Sequence, residues 1–258
     1  MSTVAARMRG TPCLRVFADT LFVDDGSRRG DEVRTAMLRL DFEYGGRRVR
    51  AGDPRRAIAA LGLRDIEAEA QACRALESFG VVELTHLEDC AVSPGAAVDY
   101  IVAPDGDVHA LCAFAAYAVP QLMRLGWRVD IDPEYPWQTI ANDAALYAAA
   151  SPDERRPDWF GLELGVEVGG RRIDLLPALL DLLDGAGDLA QLVRPTRRCI
   201  AVRVDDKHWL PVPPARLHMF AKVLLELYRD GGKLGAPRSS KLGAPMTRAQ
   251  LVADLCAA

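Results

Sequence analysis

The fold is set by two similar segments, RLDFEYGGRRVRA at residues 39–51 and WFGLELGVEVGGRRIDL at residues 159–175. In each, apolar side chains alternate with polar ones ahead of a Gly-Gly pair, and this alternation is typical of a half-buried strand. Two consecutive glycines supply the positive φ angles that a two-residue hairpin turn requires. Both segments therefore predict β-hairpins.

The two turns, at Gly45-Gly46 and Gly169-Gly170, also predict the strand register. Each register sets one apolar pair and one ion pair across the hairpin, and such pairs contribute roughly 0.2–1 kcal/mol each. The expected pairs are Phe42 with Val49, Glu43 with Arg48, Val166 with Ile173, and Glu167 with Arg172. We expect these arginines to be structural first and nucleic-acid contacts second.

Apolar residues at helical spacing predict amphipathic helices between and after the hairpins. The predicted helices cover about residues 64–79 and about residues 109–125, and two more begin at a cap on Asp174 and at Pro213-Pro214. The segments CIAVRV and HWLPV predict a further strand pair around a turn at residues 205–207. The expected class is α+β, with antiparallel β-hairpins packed with amphipathic helices.

The domain organisation follows from composition. We expect an accessory α+β region at residues 1–229, with a subdivision near residue 105. Residues 230–246 are rich in Gly, Pro and Ser, contain KLGAP twice, and predict a linker. Residues 247–258 predict a short C-terminal helix.

The overall composition is that of a cytoplasmic globular protein. Half of the 258 residues are apolar and 26% are charged. The longest apolar run, ALCAFAAYAVP at residues 110–120, predicts a buried helix, because a bilayer span needs roughly 20 residues. The first ten residues lack the apolar stretch of a secretory signal. We therefore expect neither a membrane partner nor export.

Zinc binding and ATP binding are not expected of this sequence. The six cysteines are scattered, form no CxxC pair, and predict reduced thiols that pack as small apolar side chains. No G-x-x-x-x-G-K-[ST] motif is present, so the sequence has no loop of this kind to cradle phosphates. The four tryptophans are expected in the core more than as stacking surfaces for nucleic acid.

Two acidic patterns resemble metal sites. Asp130 and Asp132 flank Ile131 at the end of a predicted strand and present two carboxylates to a hard cation, although a polar strand end is the favoured interpretation. Asp158 with Asp205-Asp206-Lys207 resembles the acidic residues and lysine of a restriction-like nuclease, with a long spacer. We therefore expect no metal.

Positive charge is concentrated late in the chain. Residues 194–248 hold twelve Lys/Arg and four Asp/Glu, whereas residues 51–193 hold ten and twenty-four. Such asymmetry is typical of a nucleic-acid or partner surface, and a solvated face that balances the acidic body is the alternative. The candidate residues for nucleic-acid binding or docking to a motor are Arg194, Arg197, Arg198, Lys207, Arg216 and Lys222.

Four segments carry a family resemblance: LRLDFEYGGRRV at residues 38–49, GWRVDIDPEYPW at 126–137, DWFGLELGVEVGGRRIDLLPALLDLL at 158–183, and CIAVRVDDKHWLPVPPARLHMFAKVLLELY at 199–228. They resemble the region N-terminal to the motor in bacterial Swi/Snf-type helicase-like ATPases. In that family this region lies between a SWIM-type zinc finger and the two ATPase lobes. Neither the zinc ligands nor the ATP-binding motifs are found in this sequence.

The resemblance implies a helicase-associated accessory module that is not itself an enzyme and has no cofactor. In that family, ATP and Mg²⁺ are bound by the motor. Its expected partners are an ATPase motor in cis or in trans, and DNA or RNA. We expect a truncated product, a split subunit or an expressed domain of such a machine. A free-standing nucleic-acid-binding or protein-interaction module is the alternative, and a metal-dependent nuclease comes third.

Overall fold

The computed structural model describes residues 7–24, 26, 30–55, 57–58, 62–140, 145–153, 156–168, 170–179, 198–215 and 242–245. The chain divides into two compact units, Met1–Trp137 and Gln138–Ala258. Antiparallel strand pairs dominate its sheets, and several helices accompany them. The predicted α+β class is confirmed.

The first unit contains both sheet and helix. Its strands are β1 (Arg7–Met8), β2 (Thr11–Val23), β3 (Asp31–Tyr44), β4 (Arg47–Arg50), β5 (Ala57–Ile58), β6 (Gly62–Arg64), β7 (Val82–Glu83), β8 (Cys90–Val92), β9 (Tyr100–Val102) and β10 (Arg128–Ile131). Its helices are α1 (Ile66–Glu77), α2 (Val108–Ala113) and α3 (Val119–Arg124), with a 3₁₀ turn at Leu84–His86.

The main sheet of this unit is built on the long antiparallel pair of β2 and β3. The strand order is β10-β2-β3-β9-β7, with β4 also paired to β3 and β8 to β2. Strand β10 runs parallel to β2. Part of the core forms around Leu21, Met37, Val98 and Ile101, all of which are buried. A smaller sheet has the order β1-β6-β5.

The first predicted hairpin is confirmed in register and in turn geometry. Phe42 pairs with Val49 and Glu43 with Arg48. The turn glycines have φ angles of 54° and 83°, in the left-handed region that other residues rarely adopt. The local pattern was therefore sufficient to set this hairpin.

Helix α1 occupies the interior of the predicted range and is capped at both ends. The Asp65 carboxylate accepts a hydrogen bond from the Ala68 N–H at 3.1 Å, and Gly80 has a φ of 82° just beyond the helix. Only two of its residues, Glu69 and Leu76, are buried. The helix is therefore held against the unit along one narrow edge.

The second predicted helix is also confirmed, with a π-helical turn in its middle. Residues Phe114–Ala118 form that turn between α2 and α3. Pro120 follows it and has no N–H to donate to the helical ladder, which gives a local cause for the altered hydrogen bonding. Gly126, with a φ of 86°, follows the helix.

The second unit contains two sheets among its described residues. Its strands are β11 (Gln138–Thr139), β12 (Ala145–Asp153), β13 (Arg156–Val168), β14 (Arg171–Asp174), β15 (Ile200–Arg203), β16 (His208–Val212) and β17 (Leu242–Pro245). One sheet has the order β11-β16-β15, and the other has the order β12-β13-β14 with β17 on β13. Strand β17 lies within the predicted linker, and residues 247–258 lie outside the described residues.

The second predicted hairpin and its following cap are confirmed as well. Val166 pairs with Ile173 and Glu167 with Arg172. Asp174 then accepts the Leu176 N–H at 3.0 Å, where a helix begins. Strands β15 and β16 form the predicted antiparallel pair. The helix predicted from residue 213 begins at residue 214, and its continuation lies outside the described residues.

Candidate functional site

Two of the six predicted basic residues lie in the described part of the chain. Arg198 and Lys207 are both exposed. The other predicted residues, Arg194, Arg197, Arg216 and Lys222, lie outside the described residues. Arg198 comes shortly before β15 and Lys207 immediately before β16, so antiparallel pairing places them at opposite ends of a four-residue strand pair. The structure does not bring these two side chains together.

The turn that carries Lys207 has its own acidic partners. The Asp205 carboxylate accepts the backbone N–H groups of Lys207 at 2.9 Å and His208 at 2.8 Å. These bonds, the Lys207 N–H first, lower the pKa of Asp205. Arg203 donates to Asp206 at 2.8 Å. The turn is therefore a locally balanced group of charges.

The residues of the nuclease hypothesis are placed on different parts of the second unit. Asp158 belongs to β13, whereas Asp205 lies in the turn between β15 and β16, in the other sheet. Asp205 is committed to backbone donors and to His208 Nδ1, at 2.9 Å. This arrangement favours a turn-stabilising role for Asp205.

Asp130 and Asp132 lie at the edge of the first unit's main sheet. Asp130 is on β10 and is exposed, and Asp132 follows the strand. The Asp132 carboxylate accepts the Glu134 N–H at 3.0 Å and faces the Arg15 guanidinium at 3.3 Å. The Glu134 N–H first, and then Arg15, lower the pKa of Asp132. Across the described residues, no group of three or more His, Cys, Asp or Glu side chains is placed to hold a metal ion.

β4, β3, β2 and β10 form a charged sheet face, of which the sequence predicted only the Glu43–Arg48 pair. Five arginines on or beside it each lie near an acidic side chain. The pairs are Arg15 with Asp132 at 3.3 Å, Arg39 with Asp41 at 3.1 Å, Arg48 with Glu43 at 3.9 Å, Arg128 with Glu43 at 2.6 Å, and Arg50 with Asp99 at 2.8 Å. These arginines have acidic neighbours to satisfy them, so the face offers phosphate little excess positive charge.

A cavity of about 820 Å³ lies beside α1 in the first unit. At its base Arg64 donates to both Glu69 oxygens, at 2.8 Å and 2.5 Å, and to the backbone carbonyls of Asp53 and Arg55. The Tyr44 hydroxyl also donates to Glu69. Burial, with the Glu69 hydrogen bond, raises the pKa of Tyr44 to about 12. The side chains of this network bind one another and the backbone, so the network has a structural role at the cavity.

The wall of the same cavity carries a thiol and a phenol. Cys73, Glu77 and Tyr100 line it, and the Tyr100 hydroxyl donates to Glu77 at 3.4 Å. Burial raises the pKa of the Cys73 thiol and of the Tyr100 hydroxyl. Both groups are therefore protonated at neutral pH, which disfavours a nucleophilic role.

The tryptophans of the first unit belong to its core. Trp127 and Trp137 are buried, and Trp137 packs edge-to-face with Tyr135 at a centroid distance of 5.4 Å. In the second unit Trp209 is half-buried, and the Trp159 side chain lies outside the described residues. The expectation that the aromatic side chains serve the core is confirmed for Trp127 and Trp137.

Comparison with known proteins gives no relative from which to transfer a function. No family model, no curated protein and no solved structure matches the chain. Within the described residues, no helix has both the length and the apolar character needed to cross a membrane.

Proposed function

We propose that this chain is a non-catalytic accessory module of a Swi/Snf-type DNA-dependent ATPase, which positions nucleic acid or a partner protein beside the motor or regulates it. The observation that carries the proposal is the resemblance of four segments to the region that precedes the motor in that family. The described parts of these segments form the β3–β4, β13–β14 and β15–β16 strand pairs and the edge strand β10. The resembling residues thus include main structural elements of both units.

The absence of a P-loop sequence motif gives the first test. We expect the purified chain to hydrolyse no ATP, with or without DNA, because it lacks the glycine-rich loop and its lysine. The measurement is phosphate release after a second purification step that removes contaminating ATPases. Turnover that persists at constant specific activity would overturn the non-catalytic assignment.

The accessory role is tested with the motor supplied in trans. The chain is added to a purified Swi/Snf-type motor, and DNA-stimulated ATP turnover is measured with increasing chain concentration. A saturable change in turnover supports the proposal, whether the chain stimulates or inhibits. If the chain neither binds the motor nor changes its ATP turnover, the result counts against the proposal.

Nucleic-acid binding is tested through the basic segment. Arg194, Arg197 and Arg198 are replaced together by alanine, and binding to a DNA duplex is measured across a salt series. If these residues contact phosphates, the variant loses affinity and its salt dependence becomes shallower. A variant that keeps both the affinity and the salt slope of the wild type would show that the contact surface lies elsewhere.

The matched control removes the same positive charge from the first unit. Arg34, Arg74 and Arg124 are exposed, and their replacement by alanine changes the net charge equally. Circular dichroism confirms the fold of both variants. Equal losses in the two variants would indicate a general effect of net charge.

The alternative function is a free-standing nucleic-acid-binding or protein-interaction module, and the uneven distribution of charge along the chain favours it. Tight DNA binding together with no effect on any motor would support this alternative. The third candidate, a metal-dependent nuclease, is tested by incubating plasmid DNA with the chain and Mg²⁺. Cleavage that is lost in Asp158→Ala would support the nuclease.

A further inference from the structure

A second cavity lies along the opposite face of α1 from the cavity described above. Its volume is about 480 Å³. One wall is the α1 face that carries Ala68, Gln71, Ala72 and Ala75, and the other is the chain from Leu125 to Trp127. Residues 9–12 complete the lining. We call this cavity the alanine groove.

The helix geometry explains why α1 leaves a groove on each side. With 3.6 residues per turn, Ala68, Ala72 and Ala75 share one face, and Ile66 and Cys73 lie on the opposite face. The buried edge of the helix lies between these two faces. Because alanine side chains are short, a second helix can approach α1 closely along the alanine groove.

A prominent apolar side chain borders the alanine groove. Leu125 is 62% exposed, more than any other large hydrophobic residue that the structure describes. It follows α3 directly and precedes Gly126, whose φ of 86° turns the chain away from the helix. Trp127 and Pro12 add apolar surface to the groove, and Thr11 and Gln71 add polar surface. An apolar partner that covered Leu125 would remove this surface from water.

Among the described residues, the charged side chain that lines the alanine groove is positive. Arg9 lines it, and Arg124 is adjacent to Leu125. Both are exposed, and neither has an acidic partner in the described part of the chain, in contrast to the arginines of the charged sheet face. Glu67 is on α1 but does not line the groove. A complementary ligand therefore combines an apolar face with acidic flanks.

We infer that the alanine groove binds an amphipathic helix of a partner protein, with apolar residues on one face and acidic residues beside them. The small residues on α1 select a helix, Leu125 supplies an apolar contact, and Arg9 and Arg124 set the sign of the flanking charge. The inference rests on the proposed function only in taking a protein as the partner. Its test needs neither ATP, DNA nor a motor, so the two proposals can fail separately.

The test uses a designed peptide as the probe. A fluorescein-labelled peptide of roughly 20 residues, long enough to form a helix, carries leucines at helical spacing and glutamates on both flanks. Binding to the full chain is measured by fluorescence anisotropy. Leu125→Ser should weaken binding about tenfold or more, and Arg9→Glu should weaken binding and reduce its dependence on salt.

Matched controls separate the alanine groove from a general effect of surface apolarity or charge. Met123 is 56% exposed and does not line the groove, so Met123→Ser should bind the peptide like the wild type. Arg34 is exposed on β3, and Arg34→Glu should likewise have no effect. A peptide with lysines in place of the glutamates should bind at least tenfold more weakly. All variants are checked by circular dichroism.

Three results would overturn the inference. In the first, the glutamate peptide does not bind at millimolar concentration. In the second, Leu125→Ser and Met123→Ser lose binding equally. In the third, the glutamate and lysine peptides bind equally well. Sedimentation of the free chain supplies a further test. A dimer that dissociates on Leu125→Ser would show that a second copy of the chain occupies the groove.

Discussion

Replacement of Arg64 by methionine should destabilise the first unit by about 3–5 kcal/mol, because it leaves a buried carboxylate without its main partner. The Arg64 side chain is 1% exposed, and it donates to both Glu69 oxygens at 2.8 Å and 2.5 Å. It also donates to the carbonyls of Asp53 and Arg55. After the substitution, Glu69 keeps the hydrogen bond that the Tyr44 hydroxyl donates to it.

The chain offers a matched control for this prediction. Arg55 also faces a carboxylate at 2.5 Å, that of Asp53, but its side chain is 80% exposed. Because Arg55 is solvated and Asp53 keeps the hydrogen bond from the Arg55 backbone N–H at 2.8 Å, Arg55→Met should change the free energy of unfolding little. The two substitutions remove the same group from ion pairs of equal length, so the difference between them reports the burial of Arg64 together with its two carbonyl hydrogen bonds.

The assay is urea unfolding followed by tryptophan fluorescence. In a background with Trp159→Phe and Trp209→Phe, the remaining reporters, Trp127 and Trp137, are both in the first unit. The double variant Arg64→Met/Glu69→Leu should recover most of the loss, because it replaces the buried pair by apolar side chains of similar size. A loss for Arg64→Met no larger than that for Arg55→Met would refute the reasoning.

Three further predictions concern single groups. An unfolded tyrosine ionises near pH 10 and folded Tyr44 near pH 12, so Tyr44 stabilises the fold fully below about pH 10 and this contribution is lost as pH rises from 10 to 12. Stability measured by urea unfolding should therefore fall less steeply in that window for Tyr44→Phe, and an unchanged slope would contradict the assignment. Burial raises the pKa of Asp174, and one of its oxygens is buried without a described partner, so Asp174→Asn should keep the helix cap and the stability of the second unit. Asp174→Ala should lose about 1 kcal/mol, and equal melting of the two variants would show that the cap contributes nothing. Gly165→Ala should destabilise by about 1–3 kcal/mol because its Cβ would overlap the Ile173 carbonyl oxygen and the Tyr147 ring. Adding Tyr147→Ala should restore little of this loss, since the backbone clash remains, and full recovery in thermal melts would disprove that account.

The candidate basic surface shows what a count of charges along the sequence can predict. Residues 194–248 carry an excess of positive charge, but a count along the chain does not place side chains in space. Arg198 and Lys207 each precede a strand of the same antiparallel pair, and such positions lie at opposite ends of the pair. This separation follows from the predicted strand pair once its direction is taken into account. Prediction of the whole charged sheet face would have required the order of the strands in the sheet, and no local pattern in the sequence supplies that order.

The sequence by itself determined the features that depend on neighbouring residues. Both hairpin registers, the Asp174 cap and the ends of the helices near Gly80 and Gly126 were predicted from it, because turn glycines, caps and cross-strand pairs act over a few residues. Only the tertiary structure showed that Glu43 lies closer to Arg128, 85 residues away, than to its hairpin partner Arg48. It also decided that α1 is buried along one edge and leaves a groove on each side. Such contacts depend on which strands and helices pack together, and this is settled by the burial of apolar surface across the whole unit.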